Sequence, residues 1–321
     1  MSQSSFMLNS KIAEVIKNIN KVIVGKEDAV ILSMVALLAK GHVLLEDVPG
    51  VGKTMLVRTL AKSMNCEFRR IQFTPDLLPS DVTGVSIYNP KTTEFEFRPG
   101  PILGNIVLAD EINRTSPKTQ SSLLEGMEEA NITVDGRTVP LKHPFFVMAT
   151  QNPIEYEGTY PLPEAQLDRF LLKLKMGYPS YQEEMEMLAR SSGTHPIDSL
   201  DPVMTLEELA QAQESVREVY VDRTIEQYIV LLTSATREHP DVYLGVSPRG
   251  SMALMKAAKA YAYIYDRDYI VPDDVQYVAR FVLPHRLIMT SEANFEGKTA
   301  EEVIEELIEA TRVPVQRNVS E

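Results

Sequence analysis

The residues best suited to chemistry in this chain lie in a glycine-containing turn between an apolar run and a helical pattern. The turn contains Gly50 and Gly52 and ends in Lys53 and Thr54, and residues 42–45 form the apolar run before it. Glycines let successive backbone N–H groups point at one anion, and the positive end of the helix dipole adds to the attraction. In this context the lysine reaches the β- and γ-phosphates, and the threonine hydroxyl coordinates Mg²⁺. The turn therefore predicts a P-loop that binds ATP with Mg²⁺.

One position departs from the general P-loop pattern, which has a glycine where this sequence has Asp47. Taken alone, the turn also fits an ordinary strand-to-helix connection with a solvated lysine at the start of the helix. A second motif is needed to decide between these two interpretations.

That second motif is Asp110 and Glu111, which end an apolar strand roughly 50–60 residues after the P-loop, as in a βαβ chain. Without a P-loop, the pair would fit two solvated carboxylates at the start of a loop. With one, it predicts an NTPase site. Asp110 is expected to hold Mg²⁺ directly or through water, and Glu111 to orient and deprotonate the attacking water.

Two further segments contain candidates whose patterns are less specific. Asn152 follows a buried strand, where its amide can reach a γ-phosphate or its water, although an asparagine before proline also forms turns. Val24 and Gly25 end a short apolar segment one helix before the P-loop. This segment either wraps the adenine ring or is an ordinary buried connector.

The elements that position these residues alternate strands with helices through the first part of the chain. Continuous apolar strands are typical of a parallel sheet, which binds ligands at its carboxyl edge. Two hairpin signals interrupt the alternation, one around residues 89–92 and one at Asp135 and Gly136. The first is expected to pack its own aromatic side chains, Phe95 and Phe97, or to touch a partner.

The best domain boundary lies at residues 177–180, beyond which no strand of a parallel sheet is evident. A capping box begins the first of the helices expected there, at Thr205. The predicted helices are residues 205–219, 222–238, 249–265, 273–282 and 300–312. The sequence thus predicts an α/β nucleotide-binding domain over residues 1–178 and a small all-helical domain over residues 179–321.

Composition favours a soluble globular protein, since 44% of the 321 residues are apolar and 24% are charged. No run approaches the ~20 apolar residues of a membrane helix, and residues 1–9 lack the pattern of a signal peptide. With Cys66 as the single cysteine, a disulfide framework is excluded and a cytoplasmic location is expected. The net charge of −13 argues against a general binder of duplex DNA.

Five motifs together resemble the AAA+ ATPases, and within them the MoxR family, over nearly the whole chain. Residues 41–54 look like that family's P-loop, including the acidic residue before Val48, and residues 110–114 look like its Walker B segment. The other three are similar to its sensor 1, arginine-finger and sensor 2 segments, residues 149–153, 164–170 and 247–249. The joint match is far more specific than any Walker motif.

The resemblance implies roles for individual residues. Asn152 would sense the γ-phosphate, Arg169 would be an arginine finger that completes a neighbouring subunit's site, and Arg249 would contact the γ-phosphate within its own subunit. Arg114 would face the subunit interface or pair with an acidic neighbour. The residues implied to bind the nucleotide are Val24, Gly25, Val48, Pro49, Gly50, Val51, Gly52, Lys53, Thr54 and Met55.

The resemblance also implies a fold and partners. The fold would be an αβα P-loop domain with a parallel sheet, two β-hairpins that correspond to the family's helix-2 and pre-sensor-1 insertions, and a helical lid. The assembly would be a hexameric ring, and the clients would be proteins, including ones that bear von Willebrand factor A domains.

Three alternatives stay open at this point. A nucleic-acid motor is disfavoured, because acidic residues offset the basic ones in and near the hairpins; the basic ones are Lys91, Arg98, Arg137 and Lys142, and the acidic ones Glu94, Glu96 and Asp135. A nucleotide-gated scaffold with negligible turnover is disfavoured by Glu111 and the arginines. A magnesium-chelatase-like ATPase subunit is a closer relative that the motifs do not fully exclude.

Overall fold

The structure is a computed structural model, and it describes residues 8–48, 50–152, 159–190 and 196–314. Its strands are, in chain order, β1 (Val43–Glu46), β2 (Phe68–Gln72), β3 (Gly84–Asn89), β4 (Glu94–Pro99), β5 (Ile106–Asp110), β6 (Asn131–Val134), β7 (Arg137–Pro140), β8 (Phe146–Gln151), β9 (Leu172–Leu174), β10 (Val242–Leu244) and β11 (Ile288–Met289).

The helices before residue 179 are α1 (Ser10–Asn20), α2 (Glu27–Leu38), α3 (Lys53–Ser63), α4 (Pro79–Thr83), α5 (Pro117–Glu129) and α6 (Glu164–Leu167). Those after it are α7 (Tyr181–Arg190), α8 (Leu206–Glu218), α9 (Arg223–Glu238), α10 (Pro248–Ile264), α11 (Pro272–Val282), α12 (Ser291–Glu296) and α13 (Ala300–Ala310). Short 3-10 turns cover Pro101–Leu103, Ile112–Arg114 and Pro284–Arg286.

A parallel sheet with the strand order β2–β5–β8–β1–β9 forms the centre of the molecule. Its register sets Gln72 opposite Asp110 at the carboxyl ends of β2 and β5. Alternate side chains of each strand point to opposite faces, so Leu108 joins one apolar cluster and Val107 the other. The predicted parallel sheet, buried on both faces, is confirmed.

Helices cover both faces of this sheet and make it the middle of three layers. One face packs against α1, α2 and α3, and the other against α4 and α5. Helix α2 is buried along most of its 12 residues, because α8 and α10 of the lid cover the side that faces away from the sheet. A helix covered on both sides needs no polar face, which explains why its apolar residues show little periodicity.

Both predicted hairpins are present, as the antiparallel pairs β3–β4 and β6–β7. Asp135 and Gly136 have φ angles of 51° and 74°, the positive values that a tight two-residue turn needs. In the first hairpin the rings of Tyr88 and Phe95 lie 5.5 Å apart, yet Phe95 remains 71% exposed. The hairpin therefore packs its own aromatics only in part.

Helices dominate the chain after residue 179, as the sequence predicts. Each of the five expected helices forms, with ends shifted by at most two residues, and the capping box at Thr205 is present. Helices α7 and α12 were not predicted. A short antiparallel pair, β10–β11, also corrects the expectation of an all-helical lid.

The boundary at residue 178 stays a prediction. Within the described ranges, no helix has the length and apolar character to cross a membrane.

Candidate functional site

The glycine turn after β1 has the backbone geometry of an anion-binding loop. Gly50 and Gly52 have φ angles of +88° and +93°, and no heavy atom beyond the adjoining residues lies within 4 Å of the place where either Cβ would be. The helix α3 begins directly afterwards, at Lys53. Gly50, Gly52, Lys53, Thr54 and Met55 line one side of a cavity of about 490 Å³. Backbone N–H groups, a helix N-terminus and a lysine therefore meet at one place, as phosphate binding requires.

Polar side chains from three neighbouring strands line the opposite side of this cavity: Arg70, Gln72, Asp110, Glu111, Thr150 and Asn152. Thr150 organises two of them. Its hydroxyl donates to Asp110 Oδ1 at 2.7 Å and accepts from the Glu111 N–H at 2.8 Å. The end of β8 therefore sets the positions of both predicted acidic residues.

Glu111 is held in an unusual conformation at the end of β5. Its φ of 58° is in the left-handed region, which is uncommon for a side chain of this size. Its Oε2 accepts hydrogen bonds from Gln72 Nε2 at 2.8 Å and from Arg114 Nη1 at 3.0 Å. Arg114 thus pairs with an acidic neighbour, one of its two predicted roles.

Arg70 ties the candidate metal ligand to β2. Its Nη2 donates to Asp110 Oδ2 and to Gln72 Oε1, both at 2.6 Å. A chain of hydrogen bonds therefore runs from Asp110 through Arg70 and Gln72 to Glu111.

Lys53 lies among these groups, and its Nζ donates to the Asp47 carbonyl at 2.9 Å. Burial lowers the pKa of Lys53, and the negative charges of Asp110, Asp47 and Glu111 oppose that shift. Lys53 is half-buried, and the cavity is lined by two cations, Lys53 and Arg70, and by two carboxylates, Asp110 and Glu111.

Asp47 replaces the usual glycine of the P-loop because its carboxylate has structural partners. Its Oδ2 accepts the N–H groups of Met176 and Gly177, both at 2.6 Å, and its Oδ1 accepts that of Val48 at 2.9 Å. The side chain is buried, so these N–H groups are its hydrogen-bond partners in place of water. Asp47 therefore fastens the P-loop to the chain that leaves the last strand of the sheet.

The other predicted P-loop and adenine residues lie in different surroundings. Val48 and Val51 pack against the apolar core. Pro49 lies outside the described residues. Val24 and Gly25 are not among the described residues that line the cavity. Gly25 instead faces the Glu183 carboxylate of α7 so closely that a Cβ would lie 1.8 Å from Oε1. Their nucleotide-binding roles stay predictions.

Arg169 and Arg249 meet at a second cavity, of about 320 Å³. Both approach the same carboxylate on α5: Arg169 Nη2 lies 3.1 Å from Glu128 Oε2, and Arg249 Nη1 lies 3.5 Å from Glu128 Oε1. Lys40 and Lys256 also line this cavity. Neither arginine is among the described residues that line the cavity around Lys53. The two predicted arginines are therefore brought together, but apart from the P-loop of their own chain.

Sequence reasoning missed Arg70, Gln72, Thr150 and Glu128. A usable signal existed for Arg70 and Gln72, because polar residues two apart on a predicted strand share a face. Finding them also required knowing that β2 lies beside β5. No comparable signal marks Glu128, which lies on α5 like several other exposed acidic residues.

The donors present fit Mg²⁺ that arrives with a nucleotide. This ion prefers oxygen ligands and keeps several waters, with one or two protein oxygens completing its shell beside phosphates. Thr54 and Asp110 line the same cavity and offer such oxygens. In the described part of the chain, no group of three or more His, Cys, Asp or Glu side chains forms a metal site by itself.

The fold and the site define an ATPase of the AAA+ class. The parallel sheet lies between two layers of helices, the glycine turn follows β1, and the two carboxylates lie at the end of β5. A model of the "ATPase family associated with various cellular activities (AAA)" matches residues 42–172, and one of the "AAA lid domain" matches residues 234–307. Together with the relatives described next, these matches show that the chain belongs to the MoxR family of AAA+ ATPases.

Similar proteins cover almost the whole chain. The uncharacterized protein YeaC of Bacillus subtilis (strain 168) is 64% identical over 97% of both chains. Chaperone MoxR1 of Mycobacterium tuberculosis is 43% identical over 92% of this chain and 80% of its own. A crystal structure of a candidate ATPase from Cytophaga hutchinsonii superposes with a TM-score of 0.90 at 40% identity, over 95% of each chain.

Proposed function

We propose that the protein hydrolyses ATP with Mg²⁺ and uses this reaction, in a ring of several copies, to remodel protein clients. The observation that carries the proposal is the cavity in which Lys53 of the P-loop faces Asp110 and Glu111 across a single space. A phosphate-binding loop on one side and an anchored carboxylate pair on the other is the arrangement that attack of water on a γ-phosphate needs.

Each residue has a definite task in this proposal. Lys53 and the N–H groups of the turn bind the β- and γ-phosphates, and Thr54 and Asp110 hold Mg²⁺. Bound Mg²⁺ would neutralise charge on the phosphates. Glu111 takes the proton from the attacking water, which requires it to exchange a present hydrogen bond for one from that water. Asn152 lines the cavity and contacts the γ-phosphate or its water.

The arginines support an assembly of several copies. Stabilising the charge that develops on the phosphates during the reaction needs a second cation besides Lys53. Arg70 is on the opposite side of the cavity but is paired with Asp110, and neither Arg169 nor Arg249 lines the described part of that cavity. Both contact Glu128, so the two guanidinium groups lie on the same side of the subunit. We therefore assign both to the nucleotide of a neighbouring subunit, which for Arg249 replaces the role within its own subunit that the motif suggested.

A protein client is favoured over nucleic acid by the chemistry of the hairpins. A space of about 560 Å³ lies between them, and Phe95, Phe97, Val134 and Val139 supply much of its lining. These side chains suit apolar groups of a client better than phosphates. The resemblance to MoxR proteins, one of which is named a chaperone, supports the same proposal. By that resemblance the ring is hexameric, the location is cytoplasmic, and the clients include proteins with von Willebrand factor A domains.

The assembly proposal is tested by the ATPase rate per subunit. We expect this rate to rise with protein concentration, and Arg169→Ala to lower it by about 10³-fold or more while ATP binding persists. Glu111→Gln should also lose hydrolysis and keep ATP bound, since the amide cannot accept a proton. Mixing the two variants should restore activity, because an interface with Glu111 from one and Arg169 from the other is complete. A rate independent of concentration, with no rescue in mixtures that co-assemble, would refute action between subunits.

A further inference from the structure

Arg286 is a lid residue whose side chain reaches into the nucleotide-binding half. It ends the 3-10 turn that follows α11, and only 4% of its side chain is exposed. Burying a guanidinium costs free energy unless its donors find partners. The identity of those partners therefore shows what the burial achieves.

The partners lie on both sides of Arg169. Arg286 Nη2 donates to the carbonyls of Asp168 at 3.1 Å and Phe170 at 2.8 Å, and Nη1 donates to that of Leu171 at 3.3 Å. Its Nε donates to the Asp168 carboxylate at 2.7 Å. One cation thus holds the backbone immediately before and after the arginine that we assign to the neighbouring site.

A second buried lid arginine shows that this pattern is specific. Arg267 makes a two-pronged ion pair with Asp274, at 2.5 and 2.6 Å, and both residues belong to the lid. Arg267 Nη1 also donates to the Tyr269 carbonyl, again within the lid, at 3.3 Å. Arg286 Nη1 also donates to the Val282 carbonyl of its own lid, but Nε and Nη2 both donate to the segment that contains Arg169.

The side chain of Arg169 is also linked to the lid, through a shared contact with Glu128. It contacts Glu128 of α5, and the same carboxylate contacts Arg249 at the start of α10. The backbone of Arg169 is therefore held by one lid residue and its guanidinium shares a partner with another.

We propose that Arg286 is the positioning residue for Arg169, fixing the backbone of residues 168–171 so that the guanidinium points toward the neighbouring subunit's ATP. The lid of one subunit then moves together with the arginine that it supplies to the next. This inference rests on the proposed function, in which Arg169 acts between subunits.

The test compares Arg286→Gln with Arg267→Gln, which removes a buried lid arginine that donates to Tyr269 and Asp274 of the lid. For Arg286→Gln we expect unchanged ATP affinity and a kcat lower by about 100-fold, the effect of moving a catalytic group by roughly 1 Å. Mixing it with Glu111→Gln subunits should restore activity, because its own Glu111 would meet an intact Arg169 there. Arg267→Gln should lower the unfolding temperature and keep kcat.

A more conservative variant covers the case in which Arg286→Gln does not fold. Arg286→Lys retains the buried charge but replaces the planar fork by a single point donor, so it should fold and show an intermediate kcat. Native kcat in Arg286→Gln, or in a folded Arg286→Lys, would overturn the inference. The inference would also be overturned if Arg267→Gln lost as much kcat as Arg286→Gln. It would be overturned as well if mixing Arg286→Gln with Glu111→Gln subunits did not restore activity. If Arg169→Ala itself keeps native kcat, the proposed function fails instead, and the two failures are distinguishable.

Discussion

The side-chain amide of Gln72 donates a hydrogen bond from Nε2 to Oε2 of Glu111, over a distance of 2.8 Å. The residue proposed to take a proton from water is therefore held by a neighbouring strand. Arg114 donates to the same oxygen, so Glu111 must change partners before it can act as a base. Gln72 is suited to control that exchange, because it is neutral and its bond is the weaker of the two.

Replacing Gln72 should raise the basal ATPase rate. In Gln72→Ala one of the two donors to Glu111 is lost, which increases the basicity of the carboxylate and frees it to accept from water. The net contribution of such a bond is ~1 kcal/mol, so we expect roughly a fivefold increase in kcat. Steady-state hydrolysis at saturating ATP measures it. The same change in a Glu111→Gln background should have no effect, and a gain there would mean that Gln72 acts by another route.

Removing Arg70 should lower the Mg²⁺ concentration that hydrolysis requires. Arg70 occupies Oδ2 of Asp110, the oxygen that a metal would share, so Arg70→Met leaves that oxygen without a competing cation. We expect the half-saturating Mg²⁺ concentration to fall by roughly tenfold, which corresponds to a gain of about 1.4 kcal/mol in the free energy of Mg²⁺ binding. The matched control is Arg69→Met, since Arg69 pairs with Glu67 instead. Equal Mg²⁺ curves for both variants would contradict the competition.

Asp47 should be needed for both stability and nucleotide affinity. Asp47→Ala deprives three backbone N–H groups of their acceptor, and each unsatisfied buried donor costs about 1–3 kcal/mol, so we expect a loss of roughly 3 kcal/mol in unfolding free energy. Detachment of the P-loop from residues 176–177 should weaken ATP binding as well. Asp222→Ala, which removes the partly buried cap of α9, should cost only about 1 kcal/mol and leave ATP affinity unchanged. If the two variants behave alike in urea unfolding and ATP titration, the anchoring role is wrong.

His42 should make the protein lose stability in mild acid. Its Nδ1 accepts the Val147 N–H at 3.0 Å, and burial lowers its pKa from 6.5 to about 4. The folded state therefore favours the neutral ring. The associated stability is complete above pH 6.5 and is lost as the pH falls from 6.5 to about 4, by up to roughly 3 kcal/mol.

This pH dependence is measured by unfolding free energies between pH 4 and pH 7 for the wild-type chain and His42→Gln. The variant should be less stable at neutral pH and show a shallower loss toward acid, since it lacks one group that binds a proton on unfolding. His285, whose pKa burial also lowers, should keep part of the slope in both proteins. Parallel curves for the two proteins would show that His42 does not titrate on unfolding.

The central sheet and the P-loop could be predicted because local patterns determine them. β1, β5 and β8 are continuous apolar runs, and Lys53 follows its glycines at a spacing set by phosphate binding. Gln72 and Arg70 could not be predicted, since their partners lie on β5 and the order of strands is decided by packing. The role of Asp47 depends on N–H groups 129 and 130 positions further along. The meeting of Arg169 with Arg249 depends on how the lid packs, which local patterns do not contain.

Helix α2 makes the two halves of the chain one unit of folding. Its apolar surface is divided between the sheet and the lid helices α8 and α10, so neither half on its own would cover it. A fragment that ended near residue 178 would expose an apolar helix to water and tend to aggregate. We therefore expect the parts of the chain before and after residue 178 to unfold together. An evolutionary exchange of lids between relatives would have to preserve the surface that fits α2.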